Sequence, residues 1–510
     1  MAQGVLPFQY EEEQRESGLT ALAGLGAYLD MAYKLGLEDS IRRHVGVRED
    51  KQGWSDFQMV LSLILLNLAG GECVDDLRIL DGDDGFCRMM EKAASHGMKR
   101  KDRREQSRRW RKERKHSVPS ASSVFRYLSA FHDAKQEALR KQAGVEKAFI
   151  PEANRYLRGL SRVNADIAAF VQANRPQPVA TLDMDATLVS TSKSDALYSY
   201  KGYKSYQPLN TWWDEQGLVI HTEFRDGNVP AGYEQLRVLQ EALECLPEGV
   251  EHVRLRSDTA GYQHDLLAYC EKGKHPRFGR IEFAVGCDVT REFKKAVREV
   301  EDDAWLPLCK EIGGKMVDTG QEWAEVCFVP NAIAKSKTGL EYRYLALRER
   351  MQEQLTLPGT EERTYPFPTM EMGEQKYKVF GTVTNLGWEG DEVIRWLHKR
   401  CGRSEEAHAI MKEDLAGGKL PSGDFGENAA WWWIMMLSFN LHASMKVLAL
   451  DKRWAHKRMK AVRFALINLP GRVLEHARRL IIRLTGGHPS FREIIEARWR
   501  IAKLLPTGYG

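Results

Sequence analysis

From Pro178 the sequence alternates apolar and polar side chains: Val179-Ala-Thr-Leu-Asp-Met-Asp-Ala-Thr-Leu-Val. This is strand periodicity, and it sets Asp183 and Asp185 on one strand face. No other stretch constrains the chain as strongly. An acid on a buried strand must be paired, protonated or bound to a cation, because an isolated buried charge is costly. Two more segments carry acids in comparable contexts. Asp258 closes the strand-like Val253-Arg-Leu-Arg-Ser-Asp, and Glu405 and Glu406 lie on an expected helix that also carries Lys412. Acids from three distant segments could bind hard divalent ions such as Mg²⁺ through oxygen. Two such ions about 3.5–4 Å apart would activate a water or a 3′-hydroxyl and stabilise a leaving oxygen at phosphorus. Each acid also has a plain structural reading. Asp-x-Asp can bond a neighbouring loop, Asp258 can cap the turn at Thr259-Ala-Gly261, and the two glutamates can be exposed helix charges. Spacing alone leaves both readings open.

The surrounding pattern predicts an α/β layer. Strands are expected at Val179–Val189, Leu218–Phe224, Val253–Asp258 and Ile281–Gly286, with helices at Tyr233–Cys245 and Tyr262–Cys270. Residues 17–90 read as helices, Leu19–Leu35 and Trp54–Leu68 among them, with Ser55 as N-cap and Gly70-Gly71 as the stop. Residues 303–385 are mostly β-like. Helices return at Glu392–Lys412, Asn428–Leu450 and His456–Ile467, followed by a strand-like Arg478–Leu484 and a last helix, Ser490–Leu505.

Composition removes several function classes. Hydrophobic residues make up 43% of the 510, and charged residues 29%, enough to bury several cores. None of the eight cysteines forms a Cys-x-x-Cys pair and none of the fourteen histidines a His-Glu-x-x-His motif. A Walker A loop and a Gly-x-Gly-x-x-Gly are also missing, which argues against a zincin, a P-loop ATPase and a simple dinucleotide enzyme. The longest uncharged apolar run, about Ala429 to Leu441, is shorter than the roughly 20 residues that span a bilayer. The N-terminus lacks a basic region and an apolar signal core. The expectation is a soluble cytoplasmic protein with no membrane partner.

Net charge is only +4, but its distribution is uneven. Lys99–Lys115 holds eleven Lys and Arg in seventeen residues, among them Arg103, Arg104, Arg108, Arg109, Arg111 and Lys112. The run is either a solvated loop or a phosphate-contacting segment. Arg225 and Asn228, near the end of a strand, either contact DNA or close a loop. Lys412 lies seven residues after Glu405, two helical turns on, and is expected on the same helix face, where it could meet a phosphate. Trp431-Trp432-Trp433 reads as packing, and the basic Lys452–Arg463 is either a solvated stretch or, in a protein that binds DNA, a DNA-facing one.

At Asp185, Asp258 and Glu405 the chain resembles the DDE transposases of bacterial insertion sequences, most closely the insertion-sequence 1380 family, a distant relative of piggyBac-type enzymes. The blocks that carry the likeness are Thr181-Leu-Asp-Met-Asp-Ala-Thr187, Gly202-Tyr-Lys-Ser-Tyr-Gln-Pro-Leu209, Glu223-Phe-Arg-Asp-Gly-Asn-Val-Pro-Ala-Gly232, Arg254-Leu-Arg-Ser-Asp-Thr-Ala-Gly-Tyr262 and Gly402-Arg-Ser-Glu-Glu-Ala-His-Ala-Ile-Met-Lys412. Asp185-Ala-Thr187 matches the family's Asp-x-Thr, and Glu405 has the family's six-residue gap to Lys412. Four residues before Glu405, where the wider family often has Arg, stands Cys401; Arg400 or Arg403 would substitute as the DNA contact.

The resemblance implies Asp185, Asp258 and Glu405 as catalytic ligands of two Mg²⁺ or Mn²⁺ ions. It implies an RNase H-like core over residues 176–302 and 386–450, interrupted by a β-rich insertion at 303–385. A helical DNA-binding and dimerisation region would occupy 1–175 and a basic region 451–510. It further implies a homodimer on double-stranded DNA, acting at the terminal inverted repeats of its element and on target DNA. Two other readings are a nuclease of the same fold that does not integrate, and a non-catalytic DNA-binding descendant of a transposase.

Overall fold

The computed structural model describes residues 18–48, 53–101, 103–104, 116–330, 342–351, 365–477 and 479–506. The chain forms two units. The first comprises Met1–Pro176, Val189–Tyr206 and His408–Gly510, the second Gln177–Leu188 and Gln207–Ala407.

The second unit is built on one ten-stranded mixed sheet. Its strands are β1 (Val179–Ala186), β2 (Leu209–Trp213), β3 (Leu218–Glu223), β4 (His252–Ser257), β5 (Glu282–Cys287), β6 (Leu306–Ile312), β7 (Lys315–Val326), β8 (Arg343–Arg350), β9 (Thr369–Met372) and β10 (Gln375–Thr384). They run in the order β3-β2-β1-β4-β5-β10-β8-β7-β6, with β9 beside β10. β1, β4 and β5 are parallel neighbours, and every other pairing is antiparallel. The β-like stretch 303–385 therefore continues the sheet that carries the acids, through the β5–β10 pairing.

Alternation explains β1. Ala180, Leu182 and Met184 are fully buried on one face, which leaves Thr181, Asp183 and Asp185 on the other. That second face is also covered. The helix Gly390–His398 presents Val393, Ile394 and Leu397 to Ala284, Leu308, Leu345 and Leu347 of the sheet. Ala284 pairs with Arg256 of β4, so this is the face on which Arg256 stands. The helix comes in so close at Gly390 that a Cβ there would lie 2.1 Å from the Trp323 ring. Only glycine permits that approach.

The expected helix Glu392–Lys412 is in fact two. It breaks at Gly402, whose φ of +82° is costly for any residue with a Cβ, and resumes as Arg403–Ala409. A π-helical turn, Ile410–Asp414, follows. Lys412 sits on that turn, so the α-helical spacing expected to align it with Glu405 does not run through.

The first unit is helical. All of Phe425–Ser444 is buried, including Trp431, Trp432 and Trp433. A helix apolar all round is a core helix, which agrees with the packing role expected for the three tryptophans. Two of its polar side chains are held by partners: Asn440 donates to Asn164 Oδ1 at 2.6 Å, and Tyr28 OH meets His442 Nδ1 at 2.8 Å. Ser55 caps Asp56–Ala69 with a full capping box, and Gly70 ends that helix at φ +100°. The start of Leu19–Leu35 differs from expectation. Leu19–Thr20 is a short strand, and the helix begins at Leu25. Among the described residues no single helix is long and apolar enough to cross a membrane; one bent pair, Asp56–Ala69 with Val74–Asp81, passes by length and composition only.

Candidate active site

Parallel pairing of β1 and β4 sets Asp183 opposite Arg256 and Met184 opposite Ser257. One step further along the same face come Asp185 and Asp258. Two charged rows result. In the inner row Arg256, with no exposed side-chain surface, grips Asp183 through two bonds, Nε to Oδ1 at 2.6 Å and Nη2 to Oδ2 at 2.7 Å. The same guanidinium reaches Asp214 at 3.0 Å and donates to the Trp396 carbonyl at 2.9 Å, 5.2 Å above the Trp396 ring. Asp183 is thus fully occupied as a structural ion pair, one that is costly to break.

In the outer row Asp185 and Asp258 share a cation. Arg400 follows the covering helix, and its guanidinium lies 3.7 Å from Asp185 Oδ2 and 3.7 Å from Asp258 Oδ2. The Arg400 side chain is 9% exposed, Asp185 22% and Asp258 50%. Burial pushes the Asp185 carboxyl up to about 6; Arg400 opposes the rise, and the charges of Asp258 and Glu405 add to it. Asp258 also accepts from the Ala260 amide at 3.0 Å, so the cap reading and the site reading of this residue coexist.

Glu405 lies within electrostatic reach of Asp185, yet its carboxylate accepts from the Gly402 amide. That is the backward bond of a capping box, from the third residue of the helix to its N-cap. Among the described residues no three His, Cys, Asp or Glu side chains form a group that could hold a metal ion. The structure therefore pairs Asp185 with Asp258 and leaves Glu405 on the adjoining helix, turned to its own N-terminus. The paired acids suit a hard cation. Two carboxylates converge on a position that already attracts a guanidinium, and burial makes the charged form of Asp185 costly, a cost that a bound cation would offset.

The other residues singled out by sequence fare differently. Arg403 is bound to Asp214, within the network of Arg256 and Asp183. Arg225 is fully buried; it donates to Glu223 at 2.7 Å and to the Tyr233 carbonyl at 2.9 Å. These bonds close the loop between Glu223 and Tyr233. Asn228 is half-buried in that loop. Lys412 is half-buried, and burial lowers its pKa. Arg103 and Arg104 are exposed, whereas Arg108, Arg109, Arg111 and Lys112 lie outside the described residues. In the stretch Lys452–Arg463, Lys452, Arg453, Lys457 and Lys460 are exposed. Arg458 and Lys460 pair with Asp414, and Arg463 donates to the Leu68 and Asn67 carbonyls at the end of a helix.

Sequence reasoning missed the anchoring roles of Arg256, Asp214 and Arg400. Arg256 left a trace: Arg256-Ser-Asp258 and Asp183-Met-Asp185 share a two-residue period, so opposite charges fall in one row when the strands pair. Asp214 and Arg400 left none, because only the tertiary structure brings them to this face.

Among curated proteins none matches the chain. In a comparison with solved structures it is similar to the piggyBac transposase synaptic complex with hairpin DNA, at 8% identity and a TM-score of 0.39, over 87% of this chain and 79% of that one. The model of the family described as Transposase DDE domain group 1 matches residues 14–506. That match spans nearly the whole length, and the chain belongs to this family of DDE transposases, which generally use divalent metal ions.

Proposed function

We propose that this chain cuts DNA at the terminal inverted repeats of its own mobile element and joins the freed 3′ ends to target DNA. The element would be a bacterial insertion sequence of the 1380 type. The observation that carries the reading is the pairing of Asp185 and Asp258 at neighbouring parallel strand ends around one cation position. What supports an RNase H-like core is the order β3-β2-β1-β4-β5, with one acid on its first strand and another just after its fourth.

Asp185, Asp258 and Glu405 would hold Mg²⁺ or Mn²⁺ in this reading. Bound there, the ions would activate the attacking water or 3′-hydroxyl and stabilise the leaving oxygen. The chain's own residues do the preparation. Arg256 and Asp183 lock β1 to β4, so the outer carboxylates are held in register. Arg400 balances their charge. Glu405 rests on the Gly402 amide, a local bond that a turn of the side chain would break. Two DNA ends must be handled together, which calls for a homodimer on DNA, with the helical N-terminal region and its basic run as DNA-binding parts. In this reading the unit formed by Met1–Pro176, Val189–Tyr206 and His408–Gly510 would be the DNA-handling body.

The test is cleavage of a duplex that carries the native element ends, in Mg²⁺. Asp185→Asn, Asp258→Asn and Glu405→Gln should each abolish cutting and leave binding of the ends within about threefold. Full cutting by any of the three, or by the wild type in excess chelator, sinks the assignment.

A further inference from the structure

Most arginines of the C-terminal region are engaged inside the first unit: Arg453 with Glu493, Arg458 with Asp414, Arg463 with helix-end carbonyls, Arg500 with the Ala449 carbonyl. Three are not. The strands β11 (Gly471–His476) and β12 (Arg479–Leu484) form an antiparallel hairpin beside Leu19–Thr20. Its inner face carries the buried Val473 and, opposite it, Ile482, which packs near Gly26. Its outer face carries Arg472 directly opposite Arg483, His476 opposite Arg479 and, between these pairs, Leu474 opposite the exposed Ile481. All three arginines are exposed, and none forms an ion pair or a side-chain hydrogen bond among the described residues. The one acid of the hairpin, Glu475, is on the other face.

Like charges facing each other across two strands destabilise a sheet unless an anion lies between them. Arg479 and Arg483 stand four residues apart, about 14 Å at strand rise. One DNA strand offers a phosphate every 3.4 Å or so of helix axis, and the guanidinium fork matches phosphate oxygens. We propose that the outer face of the β11–β12 hairpin is a docking surface for the phosphate backbone of duplex DNA, with Arg472, Arg483 and Arg479 each neutralising a phosphate. The surface positions DNA and reads no bases. This inference rests on the transposase reading for the identity of the polyanion, and its geometry is independent of the acidic site.

The experiment uses the full chain and a fluorescent duplex carrying the element ends, titrated at several KCl concentrations. The triple variant Arg472→Gln, Arg479→Gln, Arg483→Gln should lower the slope of log K against log salt by up to about 2.7, at roughly 0.9 per phosphate, and weaken binding at 0.1 M KCl by up to about 500-fold. The corresponding triple Lys variant should keep the slope. The unfolding temperature of the Gln variant should hold or rise, since a like-charge pair is removed. Wild-type slope and affinity in the Gln variant overturn the proposal and leave edge protection as the role of the arginines. Loss of polyglutamate binding with unchanged DNA binding overturns it in favour of an acidic protein partner. A wild type that binds no DNA at any salt fails the transposase reading itself, and the hairpin's ligand with it.

Discussion

Asp185→Asn should stabilise the metal-free protein at neutral pH. The Asp185 carboxyl is pushed from 3.8 up to about 6, by burial first, with Arg400 opposing and the charges of Asp258 and Glu405 adding to the rise. A folded state that holds a proton more tightly than the unfolded chain gains stability where that proton is bound. The gain is fully present below about pH 4 and is lost as pH rises through about 6. A rise of about 2 units, at 1.36 kcal/mol each, is roughly 3 kcal/mol. The wild type carries this deficit at pH 7–8 and not at pH 4. Asparagine is uncharged at every pH and escapes it, and the lost attraction to Arg400 is already contained in the net shift. The assay is calorimetric unfolding of both proteins in EDTA from pH 4 to pH 8. The stability difference, variant minus wild type, should grow by about 2–3 kcal/mol over that range, most of it between pH 4 and pH 6 with a midpoint near pH 5. Added Mg²⁺ should narrow the gap at pH 8, since only the wild type keeps the charged ligand. A difference that does not change with pH, or a variant less stable than wild type at pH 8, would refute the account of Asp185 as an acid held ready for a cation.

Two further substitutions test the charged rows. Arg400→Met removes the cation that lies 3.7 Å from both Asp185 and Asp258; the metal-free protein should lose about 1–3 kcal/mol at pH 8 and much less at pH 4.5, where the raised Asp185 carboxyl takes up its proton. Equal losses at the two pH values, by urea unfolding in EDTA, would show that Arg400 acts only by packing. Asp183→Asn leaves Arg256 buried with Asp214 as its one remaining acid, and should cost about 3 kcal/mol at pH 7 with no recovery in Mg²⁺. Recovery in Mg²⁺ would instead make Asp183 a ligand.

Much of this protein is determined by local pattern. The period of two in Val179–Ala186 and His252–Ser257 defines the strands and the faces that bear Asp183, Asp185 and Asp258, because side-chain direction alternates whatever the partner strand. Ser55 with Gln58, and Gly70, bound their helix through capping bonds that span only a few residues. The apolar-rich run Ala429–Leu441, shorter than the roughly 20 residues that span a bilayer, reads as part of a core helix, and Phe425–Ser444 is buried along its whole length. The tertiary structure decided what pairing and packing bring together. Register set Asp183 against Arg256, and so divided two acids that look equivalent in sequence into a structural pair and a free-facing carboxylate. The π-helical turn Ile410–Asp414 released Lys412 from the α-helical spacing that tied it to Glu405, a change of backbone pitch that periodicity alone would not place. Burial turned Arg225 inward and the ion pairs of Arg458 and Lys460 drew a basic stretch onto the fold, while the arginines of β11 and β12 stayed outside. Charge in a sequence states only that a partner is needed; which residue supplies it depends on contacts between segments far apart in the chain.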